Sequence, residues 1–339
     1  MKKLEKYIIK HLSILFFSIF FALFAIASVI FSIKLATYTA VIQLTPFEML
    51  KLYLFFLPQI LFYILPVSFF IAATLSLFKL SDDNEMVVIF SLGISPRFLL
   101  KTLFKPAFLL TIILFFNYLI LFPHTLVLSS NFISYKKSEA KFNLSASEFG
   151  HKFGDWLLYL GTKNKDGSYG DVFLFNKNKK EEVLIGAKDA KVINDDGILR
   201  LKLQHGEGYS YSKEKFSQIN FETMYINDTL TTKLKHYLNP LEYWLSNKKK
   251  KFKRSMLITN TLLSLFPLIS LFLIISLGVV HVRHQKARVY LYLFLSVAFF
   301  YGATLGIQKA LVYYTIPVIA IGWLLSTYLL YFKTIRKRF

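Results

Sequence analysis

Two apolar blocks enclose one long polar insert, residues 124–254, and that layout constrains the fold more than any other feature of the chain. Residues 12–33 carry no charge. A helix of that length, rising about 1.5 Å per residue, covers the roughly 30 Å hydrocarbon core of a bilayer. Further apolar stretches follow at 53–78, 98–122, 255–280, 290–307 and 311–332. Six crossings place both termini on the same side. The predicted fold is an α-helical membrane protein with six transmembrane helices and an inserted all-β domain. Helices 1–3 occupy 1–123, with a connecting loop at 79–97; the insert spans 124–254, and helices 4–6 occupy 255–339.

The distribution of cations assigns the sides. Segments on the N-terminal face carry Lys2, Lys3, Lys6 and Lys10, then Lys79, Arg97, Lys101 and Lys105, then Arg283, Lys286 and Arg288, and finally Lys333, Arg336, Lys337 and Arg338. The short segments opposite hold only Lys34, Lys51 and Lys309. Because short loops rich in Lys and Arg remain cytoplasmic, both termini are expected in the cytoplasm and the insert in the periplasm of a bacterial inner-membrane protein. One run opposes the trend: Lys248, Lys249, Lys250, Lys251, Lys253 and Arg254 lie just before the fourth stretch. Long domains translocate largely regardless of charge, so the orientation stands, and the run needs its own explanation.

Composition excludes several function classes. The chain is 55% hydrophobic, with 36 Phe and 20 Tyr, far from a soluble average. Its net charge of +21 divides into +8 in the insert and +13 elsewhere. In a soluble protein that excess would suggest nucleic acid; beside a membrane, anionic lipid is the expected counterpart. The absence of cysteine suits an exported domain without disulfides. The first apolar stretch is too long for a signal-peptide core and has no small-x-small cleavage site, so it is expected to stay as an anchor. No Asp or Glu falls within the six stretches, which argues against the proton relays of secondary transporters. The chain also lacks a G-x-x-x-x-G-K-[ST] phosphate loop. No catalysis, metal or cofactor of its own is expected, and any ATP hydrolysis would belong to a partner. Pro58, Pro66, Pro106, Pro267 and Pro317 interrupt the apolar stretches and predict kinks.

Within the insert, residues 156–161, 171–176, 182–185, 198–204 and 218–226 read as short strands. They are punctuated by turn chemistry at Lys165-Asp166-Gly167, 176–180 and 194–197. Many short strands imply a sandwich or jelly-roll-like domain. Its histidines, His151, His205 and His236, are scattered without catalytic spacing.

The loop between the second and third stretches is the most specific local sequence. In residues 81–93, Asp82 with Glu85 three residues on predicts a capping box, Gly93 a helix stop, and Ser95-Pro96 a restart. The product is a short helix at the cytoplasmic face. It is either an interfacial linker or a handle for a cytoplasmic motor.

Leu57-Pro58, Ile64-Leu65-Pro66-Val67-Ser68 and the run from Lys79 to Ser95 together resemble the signature of the LptF/LptG (YjgP/YjgQ) permeases of the lipopolysaccharide exporter. Ser147-Glu148-Phe149, 170–174 and Ile316-Pro317 extend the likeness over essentially the whole chain. The resemblance does not separate the F type from the G type. It implies a non-enzymatic permease paired with a paralogous LptG- or LptF-like subunit and driven by a dimeric LptB-like ATPase. An LptC-like periplasmic bridge protein would then take lipopolysaccharide from its β-jelly-roll. Asp82, Glu85, Met86, Ile89, Gly93 and Arg97 become candidates for ATPase coupling. Lys34, Gln308, Lys309, Lys248, Lys249, Lys250, Lys251 and Arg254 become candidates for the lipid headgroup, although a lysine at a helix end also serves as a snorkelling anchor and a charge run as a linker. The alternatives are a permease of another ABC-type lipid or lipoprotein system, and a membrane-anchored sensor or assembly factor; copurification of an ATPase separates the last from the others.

Overall fold

The computed structural model of the chain describes residues 2–39, 42, 44–141, 149–153, 156–164, 167–177, 181–195, 198–212, 215–227, 239–245, 250–279 and 286–336. Helix α1 (Lys2–Thr39) is followed by α2 (Pro46–Asp82), which a capping box opens. The Thr45 hydroxyl accepts the Glu48 N–H at 3.3 Å, the Glu48 carboxylate accepts the Thr45 N–H at 2.9 Å, and Pro46 takes the first helical position, where no donor is lost. A short α3 (Glu85–Ser91) leads to α4 (Arg97–Phe116), which passes through a π-helical segment, Asn117–Leu121, into α5 (Phe122–Lys141).

This third helical rod runs well past residue 122, beyond the start expected for the insert, because 124–141 contains no Gly or Pro to stop it. The π segment has a local cause. Pro123 has no N–H for the carbonyl four residues back, that of Leu119, so regular α-geometry fails just ahead of it.

After the sheet, α6 (Pro240–Leu245) opens on a related Asn-Pro-x-Glu sequence, in which the Asn239 N–H meets the Glu242 carboxylate at 3.3 Å. Then come α7 (Lys250–Ile269), α8 (Leu271–Gly278), α9 (Lys286–Leu311), a 3₁₀ turn at Val312–Tyr314, α10 (Thr315–Tyr331) and a closing π turn, Phe332–Arg336. The α7–α8 pair bends by 47° just after Pro267. Among the described residues five helices are long and apolar enough to cross a membrane, or six if the bent pair is one span.

Residues 1–35, 51–126 and 237–339 form one compact unit. Its core is aromatic. Phe266 of α7 meets Phe300 of α9, Phe70 of α2 and Trp323 of α10 at centroid distances of 4.5, 5.2 and 6.3 Å, so one ring joins four helices. At the crossing of α2 and α8, a Cβ on Gly278 would lie 2.6 Å from the Leu77 Cβ and 2.9 Å from the Thr74 carbonyl, so only glycine permits that approach. Helix α1 behaves differently. None of its most apolar window is buried, against 67% for α2, and only Ile8, Leu12 and Leu35 turn inward.

Residues 36–50 and 127–236 form the second unit. Its six strands are β1 (Phe149–Phe153), β2 (Trp156–Lys163), β3 (Tyr169–Lys177), β4 (Glu181–Asp195), β5 (Ile198–Ser212) and β6 (Phe216–Asn227). They pair antiparallel in chain order as one meander. At the β2–β3 hairpin Gly167 has φ 80, as its turn signal predicts. Turn residues 165, 166, 178–180, 196 and 197 lie outside the described residues.

Strand β4 is 15 residues long where the sequence predicts four, and β1 is an addition. The cause is a crease. Gly161, Asp171, Lys188, His205 and Glu222 form one transverse row that drops out of the ladder between otherwise in-register pairs such as Ala187–Gly206 and Asp189–Gln204. Asp171 and His205 take left-handed φ values of 50 and 49 there. Burial alternation resumes out of phase, with both Ala187 and Ala190 facing the core. A period-2 reading breaks at that point. Beside the crease, a Cβ on Gly206 would meet the Gly186 carbonyl oxygen at 2.3 Å.

Candidate functional site

The loop helix α3 is set up differently from its sequence prediction. No Asp82–Glu85 capping box opens it. Asp82 instead closes α2, which runs on because Leu77, Leu80 and Ser81 remain buried and the Ser81 hydroxyl donates to the Gly278 carbonyl at 3.0 Å. The chain then reverses at Asn84, which is left-handed at φ 58, and α3 starts without a side-chain cap. Asn tolerates that conformation better than most residues. Gly93, at φ 80, ends α3 as expected. The restart comes at Arg97, one residue later than the Ser95-Pro96 signal suggests.

What holds α3 comes from far away in sequence. The Tyr7 hydroxyl of α1 donates to the Glu85 carboxylate, 2.9 and 2.8 Å from its two oxygens. Leu4, Tyr7, Asp83, Asn84, Glu85, Val88 and Ile89 line a recess of about 270 Å³. Two of the predicted coupling residues, Met86 and Ile89, point into the helical core at 2% and 7% exposure. The outer surface of α3 and its C-cap is Val87, Val88 and Leu92, exposed by 46%, 57% and 73%. Arg97 does not join this group. It lines a separate cavity with Lys101, Ser95 and three aromatic side chains. The sequence carried no signal for Tyr7, because a tyrosine in an anchor helix looks like an interface residue.

The candidate headgroup residues fall into two described groups. Lys34, exposed near the end of α1, has its ammonium 5.6 Å from the Phe31 ring and 5.2 Å from that of Phe56. Gln308 of α9 accepts from the Thr259 hydroxyl at 2.8 Å and donates to that of Ser255, so it sits against the first turns of α7, the helix that carries Arg254. Lys250 and Lys251 are exposed at the start of α7; Lys248, Lys249 and the Lys309 side chain lie outside the described residues.

Lys253 of the same run is committed inward. Its ammonium donates to the Tyr243 carbonyl at 2.5 Å and lies 4.4 Å from the Tyr243 ring centroid. Next to it, the Trp244 indole N–H donates to the Leu119 carbonyl at 3.1 Å, the same carbonyl that Pro123 leaves without its helical donor. Trp244 packs edge-on against Tyr118, whose hydroxyl shares a 2.9 Å hydrogen bond with Thr261.

Among the described residues no three His, Cys, Asp or Glu side chains converge as metal ligands. The geometry is that of a helical membrane protein with an inserted β domain and a short helix suspended between two spans. No individual curated protein matches the chain. The family model for lipopolysaccharide export system permease LptF/LptG matches residues 6–333, nearly its full length. A multi-pass inner-membrane protein with this layout, matched over that extent, belongs to the LptF/LptG family of lipopolysaccharide export permeases.

Proposed function

We propose that this chain is one permease half of an ATP-driven exporter that extracts lipopolysaccharide from the inner membrane and hands it to a periplasmic bridge. In this reading the termini and α3 are cytoplasmic, and the β-domain, 124–254, is periplasmic and closes along its crease in jelly-roll fashion. A dimeric LptB-like ATPase drives the motion, a paralogous permease completes the cavity, and an LptC-like protein receives the lipid. Burying each CH₂ of a lipid is worth about 0.8 kcal/mol, so pulling several acyl chains from a bilayer requires an outside energy source and an apolar shelter. The largely unburied apolar surface of α1 suits such a shelter or the second permease.

The observation that carries the reading is α3. It is a seven-residue helix whose inner face is packed, whose outer face is apolar, and whose first-turn carboxylate is held in place by Tyr7. A rigid handle of this kind transmits a push from a motor to α2 and α4. The Glu85 carboxylate lies at the α3 N-terminus, a position favoured by the helix dipole and accessible to a partner cation. Lys34, Gln308, Lys309, Lys248, Lys249, Lys250, Lys251 and Arg254 are the proposed headgroup contacts.

The test is affinity capture of the full chain in mild detergent, followed by mass spectrometry and ATPase assay. A cytoplasmic ATPase is expected to copurify and to be depleted by Glu85→Ala. Changing Lys248 to Lys251 together to Gln should lower lipopolysaccharide-stimulated hydrolysis and its salt sensitivity. Capture without any ATPase would favour a sensor or assembly factor, and an undiminished complex with Glu85→Ala would remove α3 from the coupling role.

A further inference from the structure

The cavity that contains Arg97 is built unlike the α3 recess. It is a half-open cleft of about 440 Å³, lined by Ser95, Pro96, Arg97, Leu100, Lys101, Phe272, Tyr328 and Tyr331. That size falls within the roughly 300–1,000 Å³ of small-molecule sites. One wall is cationic: Arg97 and Lys101 lie one turn apart at the start of α4, and neither forms an ion pair among the described residues. The other wall is aromatic. Phe272 of α8 meets Tyr328 and Tyr331 of α10 at centroid distances of 5.3 and 5.4 Å. Two positive charges beside three rings, at the ends of membrane-crossing helices, match one ligand chemistry: a phosphate carried on an apolar chain. Lys333, just beyond α10, adds to the positive field at that end.

We propose that this cavity binds an anionic phospholipid of the cytoplasmic leaflet, with its phosphate between Arg97 and Lys101 and its chain along Phe272, Tyr328 and Tyr331. Guanidinium and ammonium groups both bind phosphate well, and the Ser95 hydroxyl adds a further donor. A soluble anion would use the cations and leave the rings wet, whereas a lipid satisfies both walls. Such a lipid would bridge the opening turn of α4 to α8 and α10, and so respond to any movement of α4. The site is distinct from the proposed lipopolysaccharide contacts and lies at the opposite end of the spans.

The experiment is native mass spectrometry of the full chain in mild detergent, titrated with phosphatidylglycerol, phosphatidylcholine or glycerol 3-phosphate. Phosphatidylglycerol should occupy one tight site, with phosphatidylcholine weaker by about tenfold. Arg97→Gln with Lys101→Gln should weaken phosphatidylglycerol by about tenfold or more, each single change by less, and the charge-preserving exchange Arg97→Lys with Lys101→Arg should largely retain it. Lys105→Gln, which removes an exposed cation paired with Glu5, should leave it unchanged. Wild-type binding by the double Gln variant would overturn the proposal. So would equal loss with Lys105→Gln, or displacement by glycerol 3-phosphate at similar concentration, which would mark a soluble-anion site. Retained lipid is read separately from ATPase capture, so failure here and failure of the coupling role are different results.

Discussion

Glu85 does not act alone at the start of α3, since both carboxylate oxygens lie within hydrogen-bond distance of the Tyr7 hydroxyl. The pair is partly exposed, so the bond is worth at most about 1 kcal/mol. Its importance is positional, because α3 has no side-chain cap of its own and starts from a left-handed Asn84. Tyr7→Phe, which removes only the hydroxyl, should therefore speed amide exchange in α3 by up to about fivefold and leave α10 unchanged. Hydrogen exchange on the full chain measures this, and unchanged α3 protection would show that Tyr7 does not position the helix.

The third helical rod makes the same kind of argument for an element. Pro123 withholds a donor from the Leu119 carbonyl, a π segment forms, and Trp244 supplies the hydrogen bond from α6, the helix that follows the β-domain in the chain. This bond is exposed in the isolated chain, so its loss costs about 1 kcal/mol. Trp244→Phe should lower the melting temperature of the full chain in detergent by a few degrees. In a Pro123→Ala background the same change should matter less, because the substituted residue then offers a backbone N–H at helical spacing. A double-mutant cycle reads the difference. Equal losses in both backgrounds would mean that Pro123 and Trp244 are unrelated.

For the whole molecule, the proposed orientation rests on the distribution of cations, and the cysteine-free sequence makes it easy to check. Ser91→Cys in α3 and Lys215→Cys in the loop before β6 introduce single thiols at exposed positions. In intact cells with a permeabilised outer membrane, an impermeant maleimide should label position 215 at once and position 91 only after the inner membrane is opened. The reverse pattern would place the β-domain in the cytoplasm and remove the basis for export.

Hydrophobic length, cation distribution and the turn at Gly167 are local quantities, so the sequence by itself determined the membrane class, the inserted β-domain, the short helix ending at Gly93 and the resemblance to the export permeases. Thr45-Pro-x-Glu48 closes a capping box and Asn239-Pro-x-Glu242 makes the Glu half of one, whereas the box expected at Asp82 and Glu85 does not form. At that point burial of Leu77, Leu80 and Ser81 outweighs local capping and carries α2 through Asp82. Tertiary structure alone decided that Met86 and Ile89 face inward, that Arg97 belongs to a cavity with residues more than 170 positions away, and that β4 continues through a crease. Each of these depends on which face of an element meets a distant partner, and no periodicity within one segment contains that information.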